Sequence, residues 1–104
     1  MEPLKRLTKL NTKDCLWIYI LRILASKPMH AYAIRSEIER RYGFSPGFMT
    51  AYKVLYLLKA SGLVSISKVD RRQVYRMTKQ GLRELKKASE FYSNLSRKLE
   101  LKKH

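Results

Sequence analysis

The spacing of apolar residues predicts three helices in the first sixty residues of the chain. Apolar positions recur three and four residues apart, the interval that places them on one side of a helix. In the first helix, which ends near Ser26, they are Leu16, Ile20, Ile23 and Leu24. In the second helix, over residues 31–42, they are Ala31, Ile34, Ile38 and Tyr42. A third helix is expected over residues 48–61, and Gly43 and Gly62 stand where helices commonly end.

The third predicted helix, residues 48–61, has an apolar face and a mixed face. At about 100° per residue, one face collects Ala51, Tyr52, Leu55 and Leu58. The other face collects Thr50, Lys53, Tyr56, Leu57 and Ala60. We expect the first set to pack into the core and the second set to remain available for a binding partner.

Beyond the third helix the period of the pattern falls to two residues. Val64–Ser67 alternates apolar and polar positions, and Gln73–Met77 reads as a second strand with Tyr75 and Met77 on one face. Charged residues 68–72 separate the two runs. The segment therefore predicts a β-hairpin with a basic tip.

The two ends of the chain complete the predicted organisation. Residues 1–11 are basic and weakly patterned, and we expect either an arm or a short extra helix there. Asn11 and Thr12 are suitable N-caps for the first helix, and Thr78 suits the N-cap of a last helix that runs from Lys79 towards Leu101. The expected parts are a basic N-terminal arm (1–11), one compact domain (12–78) and a C-terminal helix (79–104).

Composition adds an anionic partner to this picture. The 104 residues include 23 Lys and Arg against 8 Asp and Glu, a formal net charge of +15, and 45% of them are hydrophobic. The apolar fraction is that of a folded domain. Residues 68–87 hold the densest charge, since eight Lys and Arg against two Asp and Glu give +6. Such a surplus indicates nucleic acid first, a membrane surface second, and a small enzyme with an acidic substrate last.

Few residues are available for metal binding or catalysis. Cys15 is the only cysteine, so it forms no intrachain disulfide, and we expect a small buried hydrophobe there. We expect His30, just before the second helix, to satisfy backbone groups or to meet a phosphate. Without a Ser-His-Asp set, paired carboxylates or a phosphate-binding glycine loop, we expect no enzyme, no cofactor and no metal. The apolar run 15–25 contains Arg22 and is too short for a membrane span, so we expect a soluble, cytoplasmic protein.

The order helix, helix, turn, helix, hairpin, helix is that of a winged helix-turn-helix, a mainly α fold with a small β-hairpin (α+β). In this fold the third helix, here 48–61, enters the DNA major groove, and the hairpin, here 64–77 and called the wing, reaches the neighbouring backbone or minor groove. The wing cations expected at phosphates or in the minor groove are Lys68, Arg71, Arg72 and Arg76.

Three segments in this frame carry recognisable motifs. Residues 30–34 have the sequence His-Ala-Tyr-Ala-Ile, and residues 50–58 follow the pattern Thr-x-Tyr-x-x-Leu-x-x-Leu, with Gly-Leu-Val at 62–64. Residues 71–81 have the sequence Arg-Arg-Gln-Val-Tyr-Arg-Met-Thr-Lys-Gln-Gly. In this order, over about residues 16–85, they resemble the second helix, the recognition helix and the wing return of the PadR family of transcription regulators. The chain resembles the short form of that family, which has a single C-terminal helix.

The resemblance implies roles for four residues. Thr50 and Tyr52 would contact DNA from the recognition helix, and Arg71 and Arg72 would serve the wing. The helical angle of Tyr52 leans towards the core, so DNA contact and core packing with an exposed hydroxyl both remain open.

The chain departs from the family pattern mainly in the recognition helix. Lys53 stands where Pro is common, Tyr56 and Leu57 occupy positions that are often basic, and Ala31 replaces Gly in the second helix. These differences indicate another target sequence or an apolar contact, such as one with a thymine methyl group. For Leu57, packing under the N-terminal segment is the alternative.

The last helix carries more apolar residues than the end of a small domain buries alone, so we expect a homodimer. The candidate dimerisation residues are Leu85, Phe91, Tyr92, Leu95 and Leu99, with Trp17 of the first helix. A dimer would place two recognition helices about 34 Å apart on a palindromic operator. We therefore expect a nucleoid-associated repressor, with no motif for a small-molecule effector. The alternatives are a nonspecific or architectural nucleic-acid binder and a protein-interaction module.

Overall fold

The computed structural model describes residues 2–101 and confirms the predicted order of elements. The helices are α1 (Pro3–Leu10), α2 (Leu16–Ser26), α3 (Ala31–Tyr42), α4 (Phe48–Ala60) and α5 (Lys79–Leu99), with a 3₁₀ turn at Lys13–Cys15. Strands β1 (Val64–Val69) and β2 (Arg72–Met77) form an antiparallel hairpin. Residue 1 of the predicted arm and residues 102–104 of the predicted C-terminal segment lie outside the described residues. Among residues 2–101, no helix combines the length and the hydropathy that a membrane span requires.

The core is built around α2. This helix contacts α3, α4, α5 and β2, which explains why it is apolar on most of its sides. Six large side chains are fully buried, and they come from three helices: Ile20, Leu21, Ile23, Ile34, Ile38 and Leu55. The predicted inner positions of α2, α3 and α4 thus form one continuous core, except Tyr42 and Tyr52, which are exposed.

Backbone hydrogen bonds join the wing to the helices. Met29, in the turn between α2 and α3, donates its N–H to Tyr75 O at 3.2 Å and accepts from Tyr75 N at 2.9 Å. Val64 and Tyr75 are buried beneath the hairpin, at 2% and 5% exposure. The wing is therefore tied to the beginning of α3 as well as to its own partner strand.

The tip of the wing is tighter than the charged turn predicted over residues 68–72. Pairing continues to Val69 and Arg72, which leaves only Asp70 and Arg71 in the turn. Both have positive φ, 50° and 68°, as in a type I′ turn, whose twist matches that of the strands it joins. The sequence did not indicate this turn because a non-glycine pair rarely adopts left-handed geometry.

α5 begins in close contact with the loop that ends α4. Thr78 Oγ1 accepts a hydrogen bond from Gly81 N at 3.0 Å and donates one to Gly62 O at 2.7 Å, which confirms the predicted N-cap. A Cβ atom at Gly81 would lie 2.2 Å from Leu63 O. Only glycine therefore allows α5 to approach the backbone this closely. The helix ends at Leu99, before the predicted Leu101.

The N-terminal segment is a helix, and α2 begins later than the sequence predicts. α1 begins with Pro3, a residue suited to a first turn, and none of its side chains is buried. Asn11 and Thr12, predicted as N-caps of the first buried helix, instead donate to carbonyls four residues earlier, each at 2.8 Å. The N-cap prediction was wrong because such side chains bond nearby backbone at either end of a helix. α2 begins only at Leu16.

Asn11 links α1 to α2 and α5. Tyr92 Oη of α5 donates to Asn11 Oδ1 at 2.8 Å, and Tyr19 Oη of α2 donates to Asn11 O at 2.5 Å. Cys15 was expected to be buried but is only half-buried. Its Sγ lies 3.8 Å from Tyr92 Oη. Burial of the phenol, together with the neighbouring thiol, raises the pKa of Tyr92 to about 12.

Gly81→Ala tests the contact between α5 and Leu63. We expect the added methyl group to lower the free energy of unfolding by about 2 kcal/mol, because helix and backbone must move apart. Urea unfolding followed by circular dichroism measures the loss. The matched control is Gly47→Ala, whose Cβ would meet only the side chain of Thr50, with Oγ1 at an ordinary 3.6 Å, and it should cost less than about 1 kcal/mol. Equal losses in the two variants would contradict the close contact.

Tyr92→Phe tests the link through Asn11. At neutral pH the lost hydrogen bond should lower the free energy of unfolding by about 1 kcal/mol. Because folding raises the pKa of Tyr92 from 10.0 to about 12, its stabilising effect is complete below pH 10 and is lost as pH rises towards 12. The variant should therefore lose less stability than the wild type across that interval in alkaline unfolding curves. The control is Tyr56→Phe, because Tyr56 is 71% exposed. This variant should change neither the stability at neutral pH nor the loss of stability at alkaline pH. Identical alkaline curves for Tyr92→Phe and wild type would refute the link.

Candidate nucleic-acid interface

α4 has a buried face and an exposed face, as its sequence predicts, but Tyr52 of the predicted inner set is exposed and the predicted outer set lacks Met49. Ala51, Leu55 and Leu58 are buried. The predicted outward residues are all exposed: Thr50, Lys53, Tyr56, Leu57 and Ala60. Met49 was not singled out from the sequence, yet it is 77% exposed. Its helical angle, between those of Lys53 and Tyr56, is the signal that could have identified it.

Arg35 of α3 fixes the turn that leads into α4. Its Nε and Nη2 atoms both donate to Pro46 O, at 3.3 and 3.2 Å, and its guanidinium lies 5.4 Å from the centre of the Phe48 ring. These contacts set the position at which the first turn of α4 begins. Sequence reasoning missed this role because Arg35 lies off the apolar stripe of its helix, where a charged side chain is normally expected to face solvent.

Tyr52 lies at the border between the core and the exposed face of α4. Its ring is 4.8 Å from that of Phe48, and the residue remains 39% exposed. It also neighbours Tyr75, whose pKa is raised by burial and by the adjacent Tyr52 hydroxyl. The residue is thus packed on one side and accessible on the other.

Tyr52 lines a cleft where the three sequence motifs meet. The cleft has a volume of about 470 Å³ and is lined by His30, Ala31, Tyr32, Tyr52, Arg72, Gln73 and Tyr75. The His30 ring stacks on Tyr32 with centres 5.3 Å apart, and it makes no capping hydrogen bond to α3. The sequence alone could not place His30 or Gln73 beside Tyr52. His30 precedes α3, Tyr52 lies in α4 and Gln73 lies in β2, so the three meet only in the folded chain.

The four predicted wing cations are exposed: Lys68, Arg71, Arg72 and Arg76. Within residues 2–101, the recorded ion pairs join Glu37 to Arg40 and Arg41, and Glu84 to Lys87, so none uses a wing cation. The hydrogen bonds from Arg40 and Arg41 lower the pKa of Glu37 to about 2. The acidic residues in these ion pairs thus pair with cations of α3 and α5, and the four wing cations remain available.

Leu57 is half exposed beside a groove between α2, α4 and α5. The groove has a volume of about 350 Å³, and Val54, Trp17 and Leu57 contribute to its apolar wall. On its N-terminal side it is lined by Lys13 and Asp14 of the 3₁₀ turn. Leu57, at 51% exposure, is thus partly covered by its own chain.

The six candidate dimerisation residues fall into two groups. Three contact the rest of their own chain: Trp17, Leu85 and Tyr92. The other three lie on the far half of α5 and are exposed: Phe91 (62%), Leu95 (40%) and Leu99 (71%). Of these, Leu95 and Leu99 also line a groove with Leu7 of α1. The described part of the molecule measures 61 × 30 × 22 Å, an elongated shape for its size.

Comparison with known proteins supports this arrangement. Residues 20–87 match the profile of the transcriptional regulator PadR-like family. A PadR-like transcription factor from Bacteroides fragilis is 20% identical, with a TM-score of 0.75 over 94% of this chain and 96% of that one. A PadR family transcription regulator from Clostridium difficile is 21% identical, with a TM-score of 0.73 over 78% and 90% of the two chains. F93 from STIV, a winged-helix DNA-binding protein, is 16% identical, with a TM-score of 0.70 over 81% and 92%.

At these identities the solved structures establish the fold, and the family profile establishes the relationship. A comparison with curated protein sequences gave no match. The profile covers more than half of the chain, including all three motif segments. Since the members of this family are transcription regulators and not enzymes, the prediction of a non-enzymatic protein is confirmed. The chain belongs to the PadR-like family of transcription regulators and has the winged-helix DNA-binding fold.

Proposed function

We propose that the chain binds double-stranded DNA sequence-specifically as a homodimer and represses transcription by covering a promoter. The observation that carries this proposal is the position of the exposed face of α4 beside wing cations that have no ion-pair partner among residues 2–101. A helix fits the major groove, which is about 12 Å wide, and cations beside it attract the phosphate backbone. The same chemistry would hold such a regulator at the nucleoid, in the cytoplasm.

In the proposed complex, α4 reads bases and the wing holds the backbone. Base contacts would come from the exposed side chains of α4: Thr50, Lys53, Tyr56 and Leu57, with Tyr52 at the edge. Phosphate or minor-groove contacts would come from the wing: Lys68, Arg71, Arg72 and Arg76. His30 and Tyr32 lie in the cleft between these two sets, where the backbone would pass from α4 to the wing.

The exposed apolar stripe on α5 supports the homodimer. Phe91, Leu95 and Leu99 recur every four residues, so they lie along one side of the helix. An apolar stripe of this kind is stabilised when a partner covers it, and a second copy offers the same stripe by two-fold symmetry. Two-fold pairing would separate the recognition helices by about 34 Å, which predicts an operator with inverted half-sites.

Selection of bound duplexes from a random pool tests the proposal. We expect an inverted repeat to emerge, and Thr50→Ala should weaken binding to that site by about 1–3 kcal/mol without changing binding to random duplex. If about six phosphates are neutralised, log affinity should fall with log salt at a slope near −5. An equally steep salt dependence without any preferred sequence would favour a nonspecific or architectural binder. A single unrepeated half-site would contradict the symmetric dimer.

Arg71→Gly separates the backbone strain of the wing tip from its charge. Because Arg71 has a φ of 68°, glycine should leave the melting temperature unchanged or raise it, relieving a strain of about 1 kcal/mol. The lost cation should weaken all duplexes alike and make the salt slope shallower by about one. Arg71→Ala is the control, since it loses the same charge but keeps the strain, and it should be less stable. Wild-type affinity and slope in Arg71→Gly would show that the tip does not touch DNA.

A further inference from the structure

We propose that the outer ridge of α4, formed by Met49, Lys53 and Tyr56, selects thymine methyl groups. Met49 and Tyr56 would each contact one thymine in every operator half-site. This inference rests on the proposed function, because it requires α4 to enter the major groove. It deepens that function by naming the chemistry that α4 recognises and by adding Met49 to the residues that determine specificity.

Met49 and Tyr56 are the most exposed large apolar or aromatic side chains on α4. They are 77% and 71% exposed, against 39% for Tyr52 and 51% for Leu57. With Lys53 they lie within about 60° of one another around the helix, opposite the buried face. Among the described residues, neither Met49 nor Tyr56 has a recorded hydrogen bond, ion pair or ring contact. Met49, Lys53 and Tyr56 together form the outer ridge.

The outer ridge differs from the flank that carries Leu57. Leu57 shares an apolar groove with Trp17 and Val54, so part of its surface is already covered within the chain. Met49 and Tyr56 have no such cover and expose apolar surface to water in the free protein. Removing that surface from water on binding is favourable by about 25 cal/mol per Å². A partner with apolar groups at the matching positions would therefore gain affinity from this ridge.

The thymine 5-methyl is the apolar group that base edges present in the major groove. A ridge that read mainly guanines would be expected to carry arginines, whose paired donors match O6 and N7. Lys53 is the ridge's one cation, whereas four others lie on the wing. The flexible thioether of Met49 also adapts to an irregular apolar surface. The composition of the ridge thus fits thymine methyl groups better than a run of guanine acceptors.

The spacing of the ridge residues fits base-pair spacing. Met49 and Tyr56 are seven positions apart, which corresponds to about 10.5 Å along the helix at 1.5 Å per residue. Base pairs are stacked about 3.4 Å apart along the DNA axis and farther apart along the oblique major groove, so the two side chains reach positions about two to three base pairs apart. Lys53 lies between them and can donate to an acceptor such as guanine O6 or N7. The preferred half-site should therefore contain two thymines about two to three base pairs apart.

Deoxyuridine substitution in the selected operator tests the inference directly. Uracil keeps every pairing group and every hydrogen-bonding edge of thymine and lacks only the methyl group. With the unaltered protein, we expect affinity to fall about three- to five-fold for each of two thymines in a half-site, as burial of one methyl group predicts. Uracil at the other thymines of the site, apart from any that Leu57 contacts, should have no effect.

Variants then assign each methyl group to a side chain. Met49→Ala should abolish the uracil effect at one of the two positions, and Tyr56→Ala should abolish it at the other. Arg71→Ala is the matched control, because a lost backbone contact should weaken thymine and uracil duplexes equally. Met49 and Tyr56 are both exposed, so circular dichroism and melting temperatures of the two alanine variants should equal those of the wild type.

The outcomes separate this inference from the proposed function. A preferred operator whose thymines are all insensitive to uracil would overturn the methyl contacts and leave sequence-specific binding intact. A uracil effect that persists unchanged in both Met49→Ala and Tyr56→Ala would also overturn the assignment. If the selection yields no preferred site, the proposed function fails, and this inference fails with it.

Discussion

Burial of α2 is the constraint on which the rest of the structure depends. Its apolar residues cover most of its circumference, so a single neighbouring helix does not suffice to remove them from water. α3, α4, β2 and α5 each cover part of it. Once α4 turns Ala51, Leu55 and Leu58 towards α2, its remaining side chains must face outward. The exposed face of the recognition helix is therefore a consequence of how the core is filled.

Three junctions hold the outward surfaces in a fixed relation. Arg35 sets the beginning of α4 through the carbonyl of Pro46, and Thr78 joins the end of α4 to α5. Met29 joins the wing to the start of α3 through two backbone hydrogen bonds with Tyr75. A protein that contacts a groove and the adjacent backbone at once gains from such fixed geometry, because less conformational freedom is lost on binding.

Local signals in the sequence were sufficient for the order of elements but not for details set by distant parts of the chain. The bounds of α3 follow from its apolar period and from Gly43, both of which act within a few residues. The N-caps predicted at Asn11 and Thr12 failed because a hydrogen bond to the preceding turn competes equally well. The role of Arg35 depends on a carbonyl eleven residues away. Likewise, the cleft at His30 forms only when α3, α4 and β2 are assembled.

The concentration of cations on the wing, with only Lys53 on the outer ridge of α4, has a thermodynamic consequence in the proposed complex. Cations on the wing release counterions from DNA, so their contribution to affinity falls as salt rises. Apolar contacts from Met49 and Tyr56 release no ions, and their contribution is nearly independent of moderate salt. Rising salt would therefore weaken the complex with every sequence while the ratio between preferred and random duplexes stays nearly constant. Affinity and selectivity can then change independently, the first through the wing and the second through α4.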